Sequence, residues 1–170
     1  MRLANYQGRA TIVVHGHAVD VEHATGGQLH SDPMVLSHLE HHHLLQAVAM
    51  AVDVADWPLV DEVHLGAPVP RPPKGFGVAL NYRQHAIESG RDLPTEPHLF
   101  AKLENCVCGP FDEIVVPAGL TQIDYEAELG VVIGARVKGV RVENALESVR
   151  GYLCANDVTA RDLQRADDLW

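Results

Sequence analysis

Hydrophobic and polar residues alternate along the start of the chain. Residues 2–24, RLANYQGRATIVVHGHAVDVEHA, keep this alternation on both sides of a break at His15-Gly16-His17. A period of two is typical of half-buried β-strands, and a glycine at such a break is typical of a tight turn. We therefore predict a small sheet of short strands at the N-terminus.

The hydrophobic period changes after Ser37. Between Ser37 and Asp56 the apolar residues recur at helical spacing, which predicts an amphipathic helix. They are Leu44, Leu45, Val48, Ala49, Ala51 and Val52. The segment 65–75, LGAPVPRPPKG, then carries four prolines, which break regular structure. We place a domain boundary there, between a small N-terminal α+β region over 1–70 and a second domain over 71–170.

The second domain is predicted to consist of strands connected by short helices. Apolar runs bounded by turn residues predict the strands, and polar segments between them predict the helices. The predicted strands are 76–80, 98–104, 112–119, 123–133 and 152–157, and the predicted helices are 82–89, 141–151 and a turn after Asp157. The pattern as a whole is that of an α+β fold.

The composition argues against several classes of partner. The chain has 170 residues, 46% of them hydrophobic, which is enough to build a core. Its net charge of −10 argues against nucleic acid or an anionic membrane, because both favour clustered Lys and Arg. No apolar run reaches the ~18–20 residues that span a bilayer, and the start of the chain lacks the order of a signal peptide. We expect a cytoplasmic protein whose three cysteines are reduced and structural.

Two glutamates, separated by one residue, lie inside the strand predicted over 123–133. The surrounding segment, residues 121–134, is TQIDYEAELGVVIG. Side chains alternate along a strand, so Glu126 and Glu128 share a face. Either both lie on a solvated face, or a cation held by oxygen ligands lies between them, which favours Mg²⁺, Mn²⁺ or Ca²⁺. The apolar run after them predicts a strand covered on both faces. Asp124, just ahead, is expected at the solvated entrance of the strand.

Further polar residues could complete a site around these glutamates. Asp157 ends another apolar strand and could supply a third carboxylate if the two strands are neighbours; its alternative role is to cap a helix. Arg161 and Gln164 follow at helical spacing and would point to the same side as Asp157. The i, i+3 pair His85 and Glu88 is a candidate general base with an orienting carboxylate, although lone histidines are more often structural. The histidines of HLEHHHLL, 38–45, are expected at a solvated helix start.

Four segments in series resemble the fumarylacetoacetate hydrolase family. They are GVALNYRQHAIESG, EPHLFAKLENCVCGP, IDYEAELGVVIG and GYLCANDVTARDLQ, and the resemblance covers Gly75 to Trp170. It implies a mixed β-roll or β-sandwich. It also implies that the roll is incomplete here, because family members continue for roughly another hundred residues, about a domain's worth.

The resemblance also implies a role for each candidate residue. Mg²⁺ or Mn²⁺, with Ca²⁺ as a further possibility, would be held by Glu126, Glu128 and Asp157. His85 and Glu88 would be catalytic. Lys102, Arg161 and Gln164 would bind the substrate.

The activity that the resemblance implies is hydrolysis of a C–C bond in a small 2,4-dioxo acid, an acylpyruvate or a fumarylacetoacetate-like compound. Isomerisation, decarboxylation or hydration of a related 2-oxo diacid is one alternative. A non-catalytic remnant that keeps the carboxylates is another. A homodimer is expected if the chain is full length.

Overall fold

The computed structural model of the chain describes residues 1–166, which contain ten strands and four α-helices. The strands are β1 (Arg2–Tyr6), β2 (Arg9–Val14), β3 (His17–Asp20), β4 (Leu65–Gly66), β5 (Gly75–Ala79), β6 (His98–Lys102), β7 (Ile123–Asp124), β8 (Ala127–Ile133), β9 (Val149–Asn156) and β10 (Thr159–Ala160). The helices are α1 (Val21–Ala24), α2 (His42–Ala51), α3 (Arg83–Glu88) and α4 (Arg161–Ala166). The mixture confirms the α+β prediction, and the described strands form no closed barrel.

The N-terminal strands form one antiparallel sheet in the order β3-β2-β1-β4. Two tight turns connect β1 to β2 and β2 to β3. Their residues have positive φ: 53° and 77° at Gln7-Gly8, and 50° and 86° at His15-Gly16. Two consecutive positive φ values match the twist of a two-residue hairpin, and glycine adopts them without steric cost. The predicted sheet and its break at His15-Gly16 are therefore confirmed.

Helix α2 packs on this sheet and closes a hydrophobic core. Ile12, Val19, Val21 and Leu45 are completely buried in it. The helix is shorter than the predicted 37–56: 3₁₀ turns at Pro33–Ser37 and Leu39–His41 precede it, and it ends at Ala51. The extended backbone of His38, at φ −87° and ψ 129°, prevents a single continuous helix.

The second part of the chain contains three separate two-stranded antiparallel sheets, β5–β6, β7–β10 and β8–β9. Strands predicted around 76–80, 98–104 and 152–157 are present, and β9 begins earlier, at Val149. The predicted domain 71–170 extends to residues 167–170, which lie outside the described part.

Three predictions for this part were wrong in detail. The predicted strand 112–119 is an irregular segment with turns. The predicted strand 123–133 is interrupted at Tyr125–Glu126, because β7 pairs with β10 whereas β8 pairs with β9. The predicted helix 141–151 is a 3₁₀ helix, Val142–Ser148, that leads directly into β9.

The prediction that the 123–133 strand is covered on both faces was also wrong. Leu129, Val131 and Ile133 on one face of β8 are 61%, 49% and 55% exposed. The other face, which carries Glu128 and Val132, is partly buried. Within residues 1–166 no second layer packs on the first face, so its apolar side chains remain at the surface.

The two parts of the chain meet at the end of β8. The Leu39 amide donates to the Gly134 carbonyl at 3.0 Å. From β9, the Arg150 Nε donates to the Leu36 carbonyl at 2.7 Å. Burial lowers the pKa of Arg150. These contacts join the site-bearing strands to the N-terminal core.

Two further expectations can be compared with the described residues. Cys106, Cys108 and Cys154 are free, as predicted, but all three are exposed rather than part of a core. Among residues 1–166, no helix has the length and apolar character needed to cross a membrane.

Candidate active site

The site is built where β8 and β9 pair. Their register places Glu128 opposite Ala155 and Ala127 opposite Asn156, so the two strands are neighbours as the three-carboxylate hypothesis required. Two hydrogen bonds, one between backbone groups and one from a backbone amide to a side chain, then join the segments just outside the ladder. The Asp157 amide donates to the Glu126 carbonyl at 2.9 Å, and the Glu126 amide donates to the Asn156 Oδ1 at 3.1 Å. Glu126 and Asp157 are thereby held side by side.

The alternation predicted for the two glutamates is present. Glu126 and Glu128 are both partly buried, whereas Tyr125 and Leu129, which flank the pair, are 76% and 61% exposed, and Ala127 between them is exposed as well. The carboxylates therefore point to the sheltered face of the strand. Asp157 does not cap a helix, because α4 begins only at Arg161, after β10.

Two cationic side chains neutralise the two adjacent carboxylates. The Lys102 Nζ, from β6, forms an ion pair with the Asp157 Oδ1. The Arg161 Nη2, from the start of α4, lies 2.6 Å from the Glu126 Oε1. The Glu126 and Asp157 side chains are each only 20% exposed. In a partly buried setting such charges need partners, and they have them here.

Three predicted substrate-binding residues are thus placed at the carboxylates. Gln164 joins Lys102 and Arg161 there, because its Oε1 accepts from the Arg161 Nη1 at 2.9 Å. The Lys102 Nζ also lies 5.2 Å from the centre of the Phe100 ring, within the range of a cation–π contact. Anionic and cationic groups therefore lie together in one cluster, formed by Lys102, Glu126, Asp157, Arg161 and Gln164.

Asp124 contacts the cluster through Arg161. The sequence predicted only that Asp124 lies at the solvated entrance of the strand and did not predict this contact. The Arg161 Nε donates to the Asp124 Oδ2 at 3.0 Å, and the Asp124 side chain is 46% exposed. This bond, together with the Tyr125 amide, lowers the pKa of Asp124. Burial lowers the pKa of Arg161, but its contacts with Asp124 and Glu126 outweigh burial and raise it. The sequence held one signal for this position: Asp124 has the same strand parity as Glu126 and Glu128.

His85 and Glu88 are exposed on α3, and within residues 1–166 neither side chain has a hydrogen bond or ion pair with a member of the cluster. The Glu88 Oε1 accepts from the Gln84 Nε2 at 3.2 Å, and the hydrogen bonds of residues 1–166 include none from His85 to Glu88. The helix is nonetheless tied to the site strand, because the Tyr82 Oη accepts from the Leu129 amide at 3.0 Å. The sequence analysis did not predict a role for Tyr82, because no local pattern reveals a contact across 47 residues.

The donor atoms of the three predicted metal ligands fit a hard divalent cation. Glu126, Glu128 and Asp157 offer only oxygen donors, the type that Mg²⁺ and Mn²⁺ select. Glu128 has no ion pair or hydrogen bond from its side chain within the described residues, whereas the other two carboxylates are paired with Lys102 and Arg161. In this arrangement no group of three or more His, Cys, Asp or Glu among residues 1–166 is spaced to hold a metal. A cation would therefore replace side-chain contacts that are present here.

Known proteins share both the sequence and the architecture of this region. A curated protein of Burkholderia cenocepacia (strain HI2424), named "Putative hydrolase", is 46% identical over 115 residues, which are 67% of this chain and 41% of that protein. A crystal structure of "a putative HpcE protein" from Mycobacterium smegmatis is 34% identical with a TM-score of 0.83, and covers 99% of this chain and 58% of its own. The maleylpyruvate hydrolase of Sphingobium sp. SYK-6, solved with manganese (II) ion and pyruvate, is 26% identical with a TM-score of 0.69, covering 95% and 60%.

The chain thus spans about two-fifths of the length of the curated relative and under two-thirds of the solved ones. The family model described as "Fumarylacetoacetate (FAA) hydrolase C-terminal" matches residues 74–170, which is more than half of the chain and includes the whole cluster. The chain belongs to the fumarylacetoacetate hydrolase family.

Proposed function

We propose that this chain carries the metal-binding and substrate-binding part of a hydrolase that cleaves a C–C bond in a small 2,4-dioxo acid. The observation that carries the proposal is the cluster of adjacent Glu126 and Asp157 with Lys102, Arg161 and Gln164 around them. Acidic oxygen ligands beside fixed cationic donors are what a site needs to bind both a divalent cation and an anionic 2-oxo acid. The relative solved with manganese and pyruvate supports both ligands.

Glu126, Glu128 and Asp157 would hold Mg²⁺ or Mn²⁺. When bound, the cation would polarise the oxygen atoms of the oxo acid and stabilise negative charge that develops on them. Arg161 is suited to grip a carboxylate or carbonyl oxygen, because its guanidinium is planar, permanently charged and only 18% exposed. Lys102 supplies a point charge, and Gln164 an amide that can donate or accept.

His85 would act as the general base, oriented by Glu88. It would take a proton from a water molecule whose oxygen bonds to the distal carbonyl carbon. The C–C bond then breaks, its electron pair stays on the carbon next to the 2-oxo group, and that carbon takes up a proton. The products are a carboxylic acid and a 2-oxo acid. The His85 side chain is exposed, as a base that meets a water molecule and a substrate must be.

A second candidate function is a non-catalytic metal-binding domain. It is favoured because Glu88 accepts from Gln84, and no hydrogen bond from His85 to Glu88 is present within residues 1–166. The isomerase, decarboxylase and hydratase alternatives use the same cluster and differ in their products. The homodimer and the cytoplasmic location stay predictions.

The test begins with binding of the metal alone. Mn²⁺ should raise the melting temperature of the chain, and Glu126→Gln should abolish that rise because it removes a charged ligand. Glu143→Gln is the matched control, since Glu143 is an exposed acid paired with Arg141 outside the cluster. An undiminished rise in Glu126→Gln would contradict the metal assignment.

Turnover is then measured with acetylpyruvate, a simple acylpyruvate, and Mn²⁺, with products identified by NMR. His85→Ala should lower kcat about 10²- to 10⁴-fold, the usual contribution of a general base, while the Mn²⁺-induced rise persists. Metal binding without any turnover would favour the non-catalytic domain. Acetate and pyruvate are the products of the hydrolase. Release of CO₂ would favour a decarboxylase, and conversion without any C–C cleavage would favour an isomerase or a hydratase.

A further inference from the structure

We propose that Asp124 is a positioning residue, which holds Arg161 in the orientation needed to bind the oxo acid. This inference rests on the proposed function, in which Arg161 binds substrate, and it adds a residue that is neither a metal ligand nor a catalytic group. Its basis is the way the Arg161 guanidinium is divided among three partners.

Each nitrogen of the guanidinium has a different partner. The Nε donates to the Asp124 Oδ2 at 3.0 Å, the Nη1 to the Gln164 Oε1 at 2.9 Å, and the Nη2 lies 2.6 Å from the Glu126 Oε1. Glu126 is a proposed metal ligand, and Gln164 is a proposed substrate-binding residue. Asp124 is the one partner of the three that is proposed to bind neither metal nor substrate. Its bond to the Nε would therefore persist when both are bound.

The consequence appears when a cation and an oxo acid are bound. A cation held by Glu126 would compete with Arg161 for the negative charge of that carboxylate, so the contact of the Nη2 would weaken. Without a second anchor the long Arg161 side chain would then explore several rotamers, and binding would have to pay for ordering it. The Asp124 bond keeps the Nε side fixed, so the Nη edge is available to the substrate in one orientation.

Asp124 is itself held in place by strand pairing and by a backbone amide. It lies in β7, directly opposite Thr159 of β10, and its Oδ1 accepts from the Tyr125 amide at 2.9 Å. The Arg161 amide donates to the Gln122 carbonyl at 2.8 Å. Both ends of the Asp124–Arg161 pair are therefore attached to the same two short strands, and the pair forms without ordering a loop.

The competing interpretation is an ordinary surface ion pair. Asp124 is 46% exposed, and exposed ion pairs contribute little to stability. Arg161, however, is only 18% exposed and its other nitrogens reach the carboxylate cluster. The two interpretations differ in a measurable way, because a surface pair would leave substrate affinity unchanged.

The kinetic test compares wild type, Asp124→Ala, Asp124→Asn and the control Glu143→Gln with acetylpyruvate and Mn²⁺. Asp124→Ala should raise KM about tenfold or more, the loss expected for one charge-assisted hydrogen bond, with a smaller change in kcat. Asp124→Asn keeps an oxygen acceptor for the Nε and should recover part of the loss. The same KM in Asp124→Ala and wild type would overturn the proposal.

A second measurement does not depend on turnover. The side-chain Nε–H signal of Arg161 is identified in ¹⁵N NMR by its absence in Arg161→Lys, and the Arg150 Nε–H, which donates to Leu36, serves as the internal reference. In Asp124→Ala the Arg161 signal should broaden or shift while the Arg150 signal is unchanged. Pyruvate added with Mg²⁺ should shift the Arg161 signal in wild type and much less in Asp124→Ala.

The outcomes separate the two proposals. Pyruvate that shifts the Arg161 signal in wild type without any turnover of acetylpyruvate would contradict the hydrolase but leave the role of Asp124 supported by the loss of that shift in Asp124→Ala. An Arg161 signal identical in wild type and Asp124→Ala, or one that pyruvate does not move in wild type, would overturn the positioning role.

Discussion

The two parts of this molecule are held together in different ways. In the N-terminal part, a four-stranded sheet and α2 enclose fully buried side chains such as Ile12 and Leu45. In the part after Gly75, three two-stranded sheets carry apolar residues at the surface, Leu129 and Tyr152 among them at 61% and 60% exposure. Isolated two-stranded sheets are marginal in water. The buried hydrophobic residues therefore lie mainly in the N-terminal part, whereas the charged cluster lies in the other part.

In the site-bearing part, polar contacts take the place of a core. The carboxylates are held by ion pairs to Lys102 and Arg161 and by the backbone contacts of Glu126 and Asp157. In the two solved relatives described above, about two-fifths of the chain has no counterpart in the sequence of this protein.

The largest expected effect is a difference in the free energy of unfolding between two leucine variants. Leu45→Ala should lower the free energy of unfolding by about 2–5 kcal/mol, because it opens a cavity in the closed core. Leu129→Ala, the same truncation on the exposed face of β8, should change it by less than about 0.5 kcal/mol. Urea denaturation followed by circular dichroism measures both. Equal losses would show that the β8 face is buried in solution and would contradict the difference between the two parts.

A smaller effect is expected at the junction of the two parts. A Cβ at Gly134 would lie 2.8 Å from the Arg150 Cβ and 2.9 Å from the Ser37 carbonyl oxygen, so Gly134→Ala forces the parts apart. Overpacking of this kind costs about 1–3 kcal/mol. Gly151→Ala in β9 is the matched control, because nothing lies within 4 Å of its Cβ position.

Hydrogen exchange gives this junction prediction a local measurement. The Leu39 amide, bonded to the Gly134 carbonyl, should exchange faster in Gly134→Ala and at the wild-type rate in Gly151→Ala. Unchanged protection of Leu39 in Gly134→Ala would mean that the parts dock elsewhere in solution.

The smallest expected effect is on the acid sensitivity of each part. Burial would raise the pKa of Asp20, but bonds from Arg9 and the His23 amide outweigh it and lower the pKa. The folded pKa is therefore below the unfolded value of about 3.9, so the stabilisation is present above that pH and is lost as the pH falls through the folded pKa. The lowered pKa of Asp124 gives the same sign.

The two aspartates can be compared directly. Asp20→Asn and Asp124→Asn should each weaken the fall in the free energy of unfolding that occurs as the pH drops below about 4. The effect of Asp20→Asn should be larger, because its side chain is 19% exposed against 46% for Asp124. Acid titration of both variants by circular dichroism measures this, and the reverse order would contradict the burial difference.

Local patterns predicted what depends on neighbours in the chain. The turn at His15-Gly16, the strand β6 and the shared face of Glu126 and Glu128 all follow from period and turn chemistry, and the structure has them. The failures have a common physical cause. Residues 112–119 have the composition of a strand, but a strand also needs a partner to accept its backbone hydrogen bonds, and composition does not supply one.

The sequence by itself determined the inventory of the site, namely three carboxylates, two cations and an amide at spacings that pointed to one family. Only the tertiary structure decided which of them meet. Lys102 pairs with Asp157 across 55 residues, and Arg161 with Asp124 across 37. Such contacts depend on which strands pair and where β7 and β8 separate, and these are set by the global packing of the chain. Local spacing also leaves a choice of partner: Glu88 accepts from Gln84 in this structure and forms no hydrogen bond with His85.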